Sequence, residues 1–165
     1  MKIVADKLKE LALASSIGHE IDQYGRSAFN RYYYAIFLVV RSTLMNINPS
    51  WARSPHKNFP DILTGSVYRA ARNQALKLER AGQLKPREKS GMITSIKICV
   101  EDLAQLLQTG YEARLIADYS PEEIVRRVAD NLQLRNYTMR AAQTWPKLAE
   151  RRAGQLGAKW RELGL

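Results

Sequence analysis

The chain has 165 residues, with 26 Lys and Arg against 16 Asp and Glu, a formal charge of +10 and 45% hydrophobic side chains. That length suits one domain over residues 1–165 with a sizeable core, and that apolar content excludes a disordered basic tail. The positive balance asks for a polyanion or an acidic protein as partner.

A single cysteine, Cys99, excludes an internal disulfide, and His19 and His56 alone give no zinc-site spacing, so neither a metal nor another cofactor is expected. The longest uncharged apolar run, Tyr32 to Val40, is closed by Arg31 and Arg41. It falls far short of the roughly 20 residues that span a bilayer, so no membrane is expected. The charged start, Met1 to Lys7, is unlike an export signal, and a cytoplasmic protein is expected.

In chain order, Val4, Leu8, Leu11, Ala12 and Ser15 recur at helical steps and predict a first amphipathic helix over about 3–17. Helix 2 carries two adjacent stripes, Ala28/Tyr32/Ala35/Val39 and Phe29/Tyr33/Ile36/Val40, and belongs in the middle of a bundle; Asn46 to Pro49 ends it. A loop with Trp51, Arg53, Pro55, His56 and Lys57 leads to helix 3, which begins near Asp61 and fades at Arg80 to Gln83. Helix 4 runs from about Lys89 to Asp118 on the stripe Ile93, Ile96, Val100, Leu103, Leu107, Tyr111, with Gly110 loosening its last turns. Ser120-Pro121-Glu122-Glu123 reads as a capping box opening helix 5, with Val125, Val128, Leu132, Met139 and Ala142 inside, and a basic helix or tail follows over about 145–165. The whole reads as all-α, an up-and-down bundle of four to five helices with no sheet.

Asn30-Arg31-Tyr32-Tyr33-Tyr34-Ala35-Ile36-Phe37 resembles the Ser-Arg-x-Tyr-Tyr-Ala-x-Phe signature of HEPN domains (higher eukaryotes and prokaryotes nucleotide-binding). His56 with Phe59 and Ile62, the turn Ala81-Gly82-Gln83-Leu84, and Arg114-Leu115-Ile116-Ala117-Asp118-Tyr119 resemble further landmarks of that family, in its order. The resemblance covers about residues 3–145 and implies a helical bundle, commonly a homodimer, that binds RNA or nucleotides. Many such proteins cut RNA without metal and act in toxin-antitoxin or phage-defence systems beside a small nucleotidyltransferase. The cutting members carry Arg followed five positions later by His; here those positions hold Arg114 and Tyr119.

Metal-free RNA cleavage needs a base for the 2′-hydroxyl and a cation for the charge building on phosphorus. Arg114 suits the second role. A phenol, ordinarily titrating near pH ~10, makes Tyr119 a poor base, though a fair hydrogen-bond donor or acid. His56, on a basic loop, is the other candidate base. Against this stands the plainer reading of Arg114 and Asp118, at i and i+4, as a surface ion pair. Arg31, among aromatic residues, either meets Asp118 or turns to a groove where it joins Arg114 at one anion site. From Arg126 to Glu162, nine basic residues face three acidic ones, so Arg126, Arg127, Arg151 and Arg152 are the expected RNA contacts, with Trp145 and Trp160 as packing anchors or stacking platforms. The functional expectation is a HEPN-like RNA- or nucleotide-binding protein with metal-independent ribonuclease activity at Arg114, Tyr119 and His56; the alternative is a non-catalytic adaptor that docks a nucleotidyltransferase or another protein. The wide apolar arc of helix 2 and its surplus tyrosines point to a homodimer.

Overall fold

The structure, a computed structural model, describes residues 1–165. Its elements are α1 (Lys2–Ala14), α2 (Gly18–Ile47), 3-10 turns at Trp51–Arg53 and His56–Asn58, α3 (Phe59–Asp61), a π-helical stretch Ile62–Val67, α4 (Tyr68–Arg80), α5 (Pro86–Tyr119), strands β1 (Arg126–Val128), β2 (Asn131–Leu134) and β3 (Tyr137–Thr138), and α6 (Met139–Glu162). The class is the all-α bundle that the periodicity predicts. No helix is long and apolar enough to cross a membrane. The chain divides into two compact units, Met1–Leu38 with Leu107–Leu148, and Val39–Leu106 with Ala149–Leu165.

In the first unit, both stripes of α2 are buried: Ala28, Phe29, Tyr32, Tyr33, Ala35 and Ile36 line a core completed by Leu107, Ala113, Ala117, Leu132, Leu134, Met139, Ala142 and Trp145. Tyr32 donates its hydroxyl to Asp6 Oδ1 at 2.6 Å, and Gln143 Nε2 donates to the same oxygen at 3.2 Å, so the polar end of this core is satisfied. In α1 the buried positions are Ala5 and Ala12, whereas Val4 and Leu11, expected inside, are 48% and 41% exposed. The small alanines let the helix approach closely and leave the larger residues on its outer face.

The second unit is built on Val40, Leu44, Phe59, Leu63, Val67, Ala71, Ile96, Val100, Leu103, Leu156 and Trp160, with Trp51 edge-on to Trp160 at 6.4 Å. α4 ends in a Schellman motif: Gly82, at φ 70°, donates to Glu79 O and Gln83 to Leu78 O. α5 starts at Pro86 in the first turn, and Glu88 Oε2 accepts from the Lys85 N–H at 2.9 Å.

The segment after α5 overturns the predicted helix 5. Ser120 to Glu123 is a turn, and residues 126–138 form a three-stranded antiparallel sheet of order β1-β2-β3, pairing Arg126 with Gln133 and Leu134 with Tyr137. The physical reason is Arg26 on α2. Its Nη2 donates to the carbonyls of Ser120 and Glu123, its Nη1 to those of Ile116 and Ala117, and its Nε is bound by the Asp22 carboxylate at 2.9 Å. Asp22 Oδ1 also accepts the Val125 N–H at 2.7 Å. A helix from Ser120 would direct the Ser120 and Glu123 carbonyls and the Val125 N–H along its own ladder; Arg26 and Asp22 instead hold them in a turn, which the Glu123 N–H closes by donating to Ser120 O at 3.1 Å. Gly25 permits the approach, since a Cβ there would lie 2.6 Å from Val125 Cγ1. Burial then alternates, with Leu132 and Leu134 inside on β2 and Val128 52% exposed.

Both hairpins turn through two residues whose first, Ala129 or Arg135, has positive φ (54° and 55°), a conformation that suits glycine. We expect Ala129→Gly and Arg135→Gly each to stabilise by about 0.5–1 kcal/mol, read as a rise in the urea midpoint at constant slope. Arg26→Met leaves Asp22 and four carbonyls without their cation; a loss of about 3–5 kcal/mol is expected in the same measurement.

Candidate functional site

The site lies where α5 ends against α2 within the first unit. On α5, Arg114 and Asp118 are one turn apart and Tyr119 is the last residue; on α2, Asn30, Tyr33 and Tyr34 share a face at i, i+3 and i+4. Gly110, expected to loosen α5, is instead a buried contact: a Cβ there would lie 3.0 Å from Ile36 Cδ1 and 3.3 Å from Tyr33 Cδ2. Its missing side chain brings the tyrosine face of α2 against the last turns of α5.

The guanidinium carbon of Arg114 sits 6.0, 5.8 and 5.9 Å from the ring centres of Tyr33, Tyr34 and Tyr119. Three ring faces at that distance stabilise a cation electrostatically. Its Nε lies 3.0 Å from Asp118 Oδ2, but the N–H is not aimed at that oxygen: the contact is an ion pair, and the buried Nε has no hydrogen-bond acceptor. Asn30 Nδ2 donates to Asp118 Oδ1 at 2.7 Å, whereas Asn30 Oδ1 is buried without a donor. The Arg114 side chain is 15% exposed and that of Asp118 25%, while Tyr119 is 69% exposed. Burial works against the Arg114 charge; Tyr34 and Asp118 outweigh it and raise its pKa, so the group stays a cation. Burial, opposed by Arg114 and reinforced by Tyr111 and Tyr34, pushes the Tyr33 phenol up to about 12.

The structure thus brings together Arg114, Asp118 and Tyr119, and adds Asn30, Tyr33 and Tyr34. It does not pair Arg31 with Asp118, whose oxygens serve Arg114 and Asn30; Arg31 is exposed one residue beyond Asn30. His56 belongs to the other unit, in the turn His56–Asn58. Of the expected basic contacts, Arg127 spends its Nη2 on the carbonyls of Ala12, Leu13 and Ser15, capping α1, and Arg152 Nε meets Asp102 Oδ2 at 2.6 Å. Arg126 and Arg151 are exposed without ion pairs. Trp145 and Trp160 are 6% and 7% exposed, packing anchors and no stacking platform. Asp22 and Arg26, which hold the end of α5 beneath the site, went unselected in the sequence, although their i,i+4 spacing is a legible signal. No group of His, Cys, Asp and Glu is placed to hold a metal ion.

No protein-family model matches the chain, and neither a curated protein nor a solved structure matches it.

Because Arg114 is enclosed by rings and a carboxylate, Arg114→Ala is expected to cost about 2–3 kcal/mol in urea unfolding, above a surface pair and below a fully buried one. The raised Tyr33 pKa stabilises the fold fully below the unfolded value of about 10 and is lost as pH rises towards 12. Tyr33→Phe should therefore flatten the fall in unfolding midpoint over that alkaline window.

Proposed function

We propose that this chain is a HEPN-like RNA-binding protein that holds single-stranded RNA at the Arg114 cluster. The observation that carries the reading is a caged cation with an unpartnered buried Nε, next to the widely exposed ring of Tyr119. An exposed aromatic ring stacks a base, and a guanidinium one ring away meets a phosphate; together they suit an unpaired strand. The cluster favours binding over cleavage: it contains no histidine, both Asp118 oxygens are engaged, and Tyr33 holds its proton far above neutrality. A toxin-antitoxin or phage-defence setting belongs to the same proposal.

The homodimer that goes with this reading draws on α1. The apolar arc of α2 that suggested a dimer is largely covered within the chain, but Ile3, Val4 and Leu11 stand out at 84%, 48% and 41% exposure. Light scattering that returns twice the 18.8 kDa chain mass, abolished by Ile3→Asp, supports it.

Anisotropy titration of a labelled single-stranded RNA tests the first reading. Arg114→Gln should abolish binding and Tyr119→Ala should weaken it about 5- to 150-fold, the range for one stacked base. Asp118→Asn decides between site and structural pair. It removes the carboxylate that competes with phosphate, so binding should tighten; unchanged binding in all three variants would sink the reading.

A further inference from the structure

The positive charge is concentrated in the unit that does not contain the Arg114 cluster. The unit formed by Val39–Leu106 and Ala149–Leu165 holds 15 of the 26 Lys and Arg but only 7 of the 16 Asp and Glu. Within it, α4 presents Arg69, Arg72, Asn73, Lys77 and Arg80 to solvent, while Ala71 and Ala75 face the core. At 100° per residue the four cations fall within an arc of about 140°, spread over roughly 16 Å of helix axis. None of the four forms an ion pair, and the one carboxylate on the helix, Glu79, is bound by Lys89 at 2.7 Å.

We propose that this face of α4 is a docking surface for the sugar–phosphate backbone of RNA, a second contact beyond the Arg114 cluster that rests on the RNA-binding reading. The occupant follows from what the face lacks. A membrane-surface helix needs exposed apolar residues beside its cations. A protein interface needs a desolvated aromatic or aliphatic anchor at its centre. The α4 face has neither in the open: Ala71 and Ala75 are buried, Leu76, which lies within the arc of cations, is only half-buried among them, and none of the large exposed hydrophobic side chains lies on this helix. A phosphate backbone needs only spaced cations and donors, and tolerates a wet contact. Four guanidinium and ammonium groups along one helix suit a chain of phosphates.

The test is RNA affinity as a function of salt, using a single-stranded RNA of about 16 nucleotides, for the whole chain, Arg114→Gln, and the variant R69Q/R72Q/K77Q/R80Q. The four-Gln variant should keep its melting temperature, since all four side chains are exposed, yet lose at least tenfold in affinity and flatten the log–log salt slope by about 2–3 units, given about 0.7 per phosphate released. R69K/R72K/R80K, which keeps the charge, should restore most of the slope. If Arg114→Gln loses RNA while the four-Gln variant keeps parental affinity and slope, this inference fails alone. If the parent chain binds no RNA, both readings fail; if it binds phosphatidylserine-containing vesicles through these four residues and no RNA, the face is a membrane contact and the inference is overturned.

Discussion

The arrangement hinges on one arginine. Arg26, held at its Nε by Asp22, sends its remaining donors to carbonyls at the end of α5 and in the turn beyond it. The last carbonyls of a helix have no partners of their own, and a charged donor bound to several at once is stronger than a neutral cap. This one clamp ends α5 at Tyr119, prevents the chain from continuing as helix, and launches the segment that becomes the sheet. It also fixes Arg114, Asp118 and Tyr119, the last turns of α5, against the tyrosine face of α2. Gly25 and Gly110 serve the same end by removing the side chains that would hold the partners apart.

The distribution of charge has a similar logic. Much of the basic C-terminal stretch is consumed internally: Arg127 caps α1, Arg140 meets Asp130 at 2.8 Å, and Arg152 meets Asp102. These pairs are individually modest, but they neutralise cations that the linear sequence counts as free. On α4, by contrast, Arg69, Arg72, Lys77 and Arg80 are exposed and form no ion pair. Which cations remain unpaired is set by which turns and strands approach each other.

Around Arg114 the enclosure is part structural and part open. The cation stabilises a packed junction through Asp118 and three rings, while the exposed ring of Tyr119 leaves one side accessible. A guanidinium already oriented by its surroundings has little side-chain freedom left to lose, the feature on which the proposed anion contact at Arg114 rests.

The sequence by itself determined the helical class, the end of α2, the extent of α5 to within a few residues and most of the buried positions of the α2 stripes, and it offered the i,i+4 pair of Arg114 with Asp118 as one of two partners for that carboxylate; the start of α2 at Gly18, some ten residues before its first stripe residue, was not legible. Each legible feature is a local property: a 3.6-residue period or an i,i+4 spacing is written into neighbouring positions. Only the tertiary structure decided the rest. The capping box at Ser120 is a valid helix start that Arg26, 94 residues away, overrides by holding its carbonyl. The hairpins at Ala129 and Arg135 carry no glycine to announce them; Asp130, Asn131 and Asn136 are their only turn signals, weak beside the capping box at Ser120, and short strands with Leu132 and Leu134 inside look like helix when read alone. The outward face of α1 followed from which partner its alanines met. In each case the deciding contact joins residues far apart in the chain, and such contacts leave no spacing in the sequence from which they can be read.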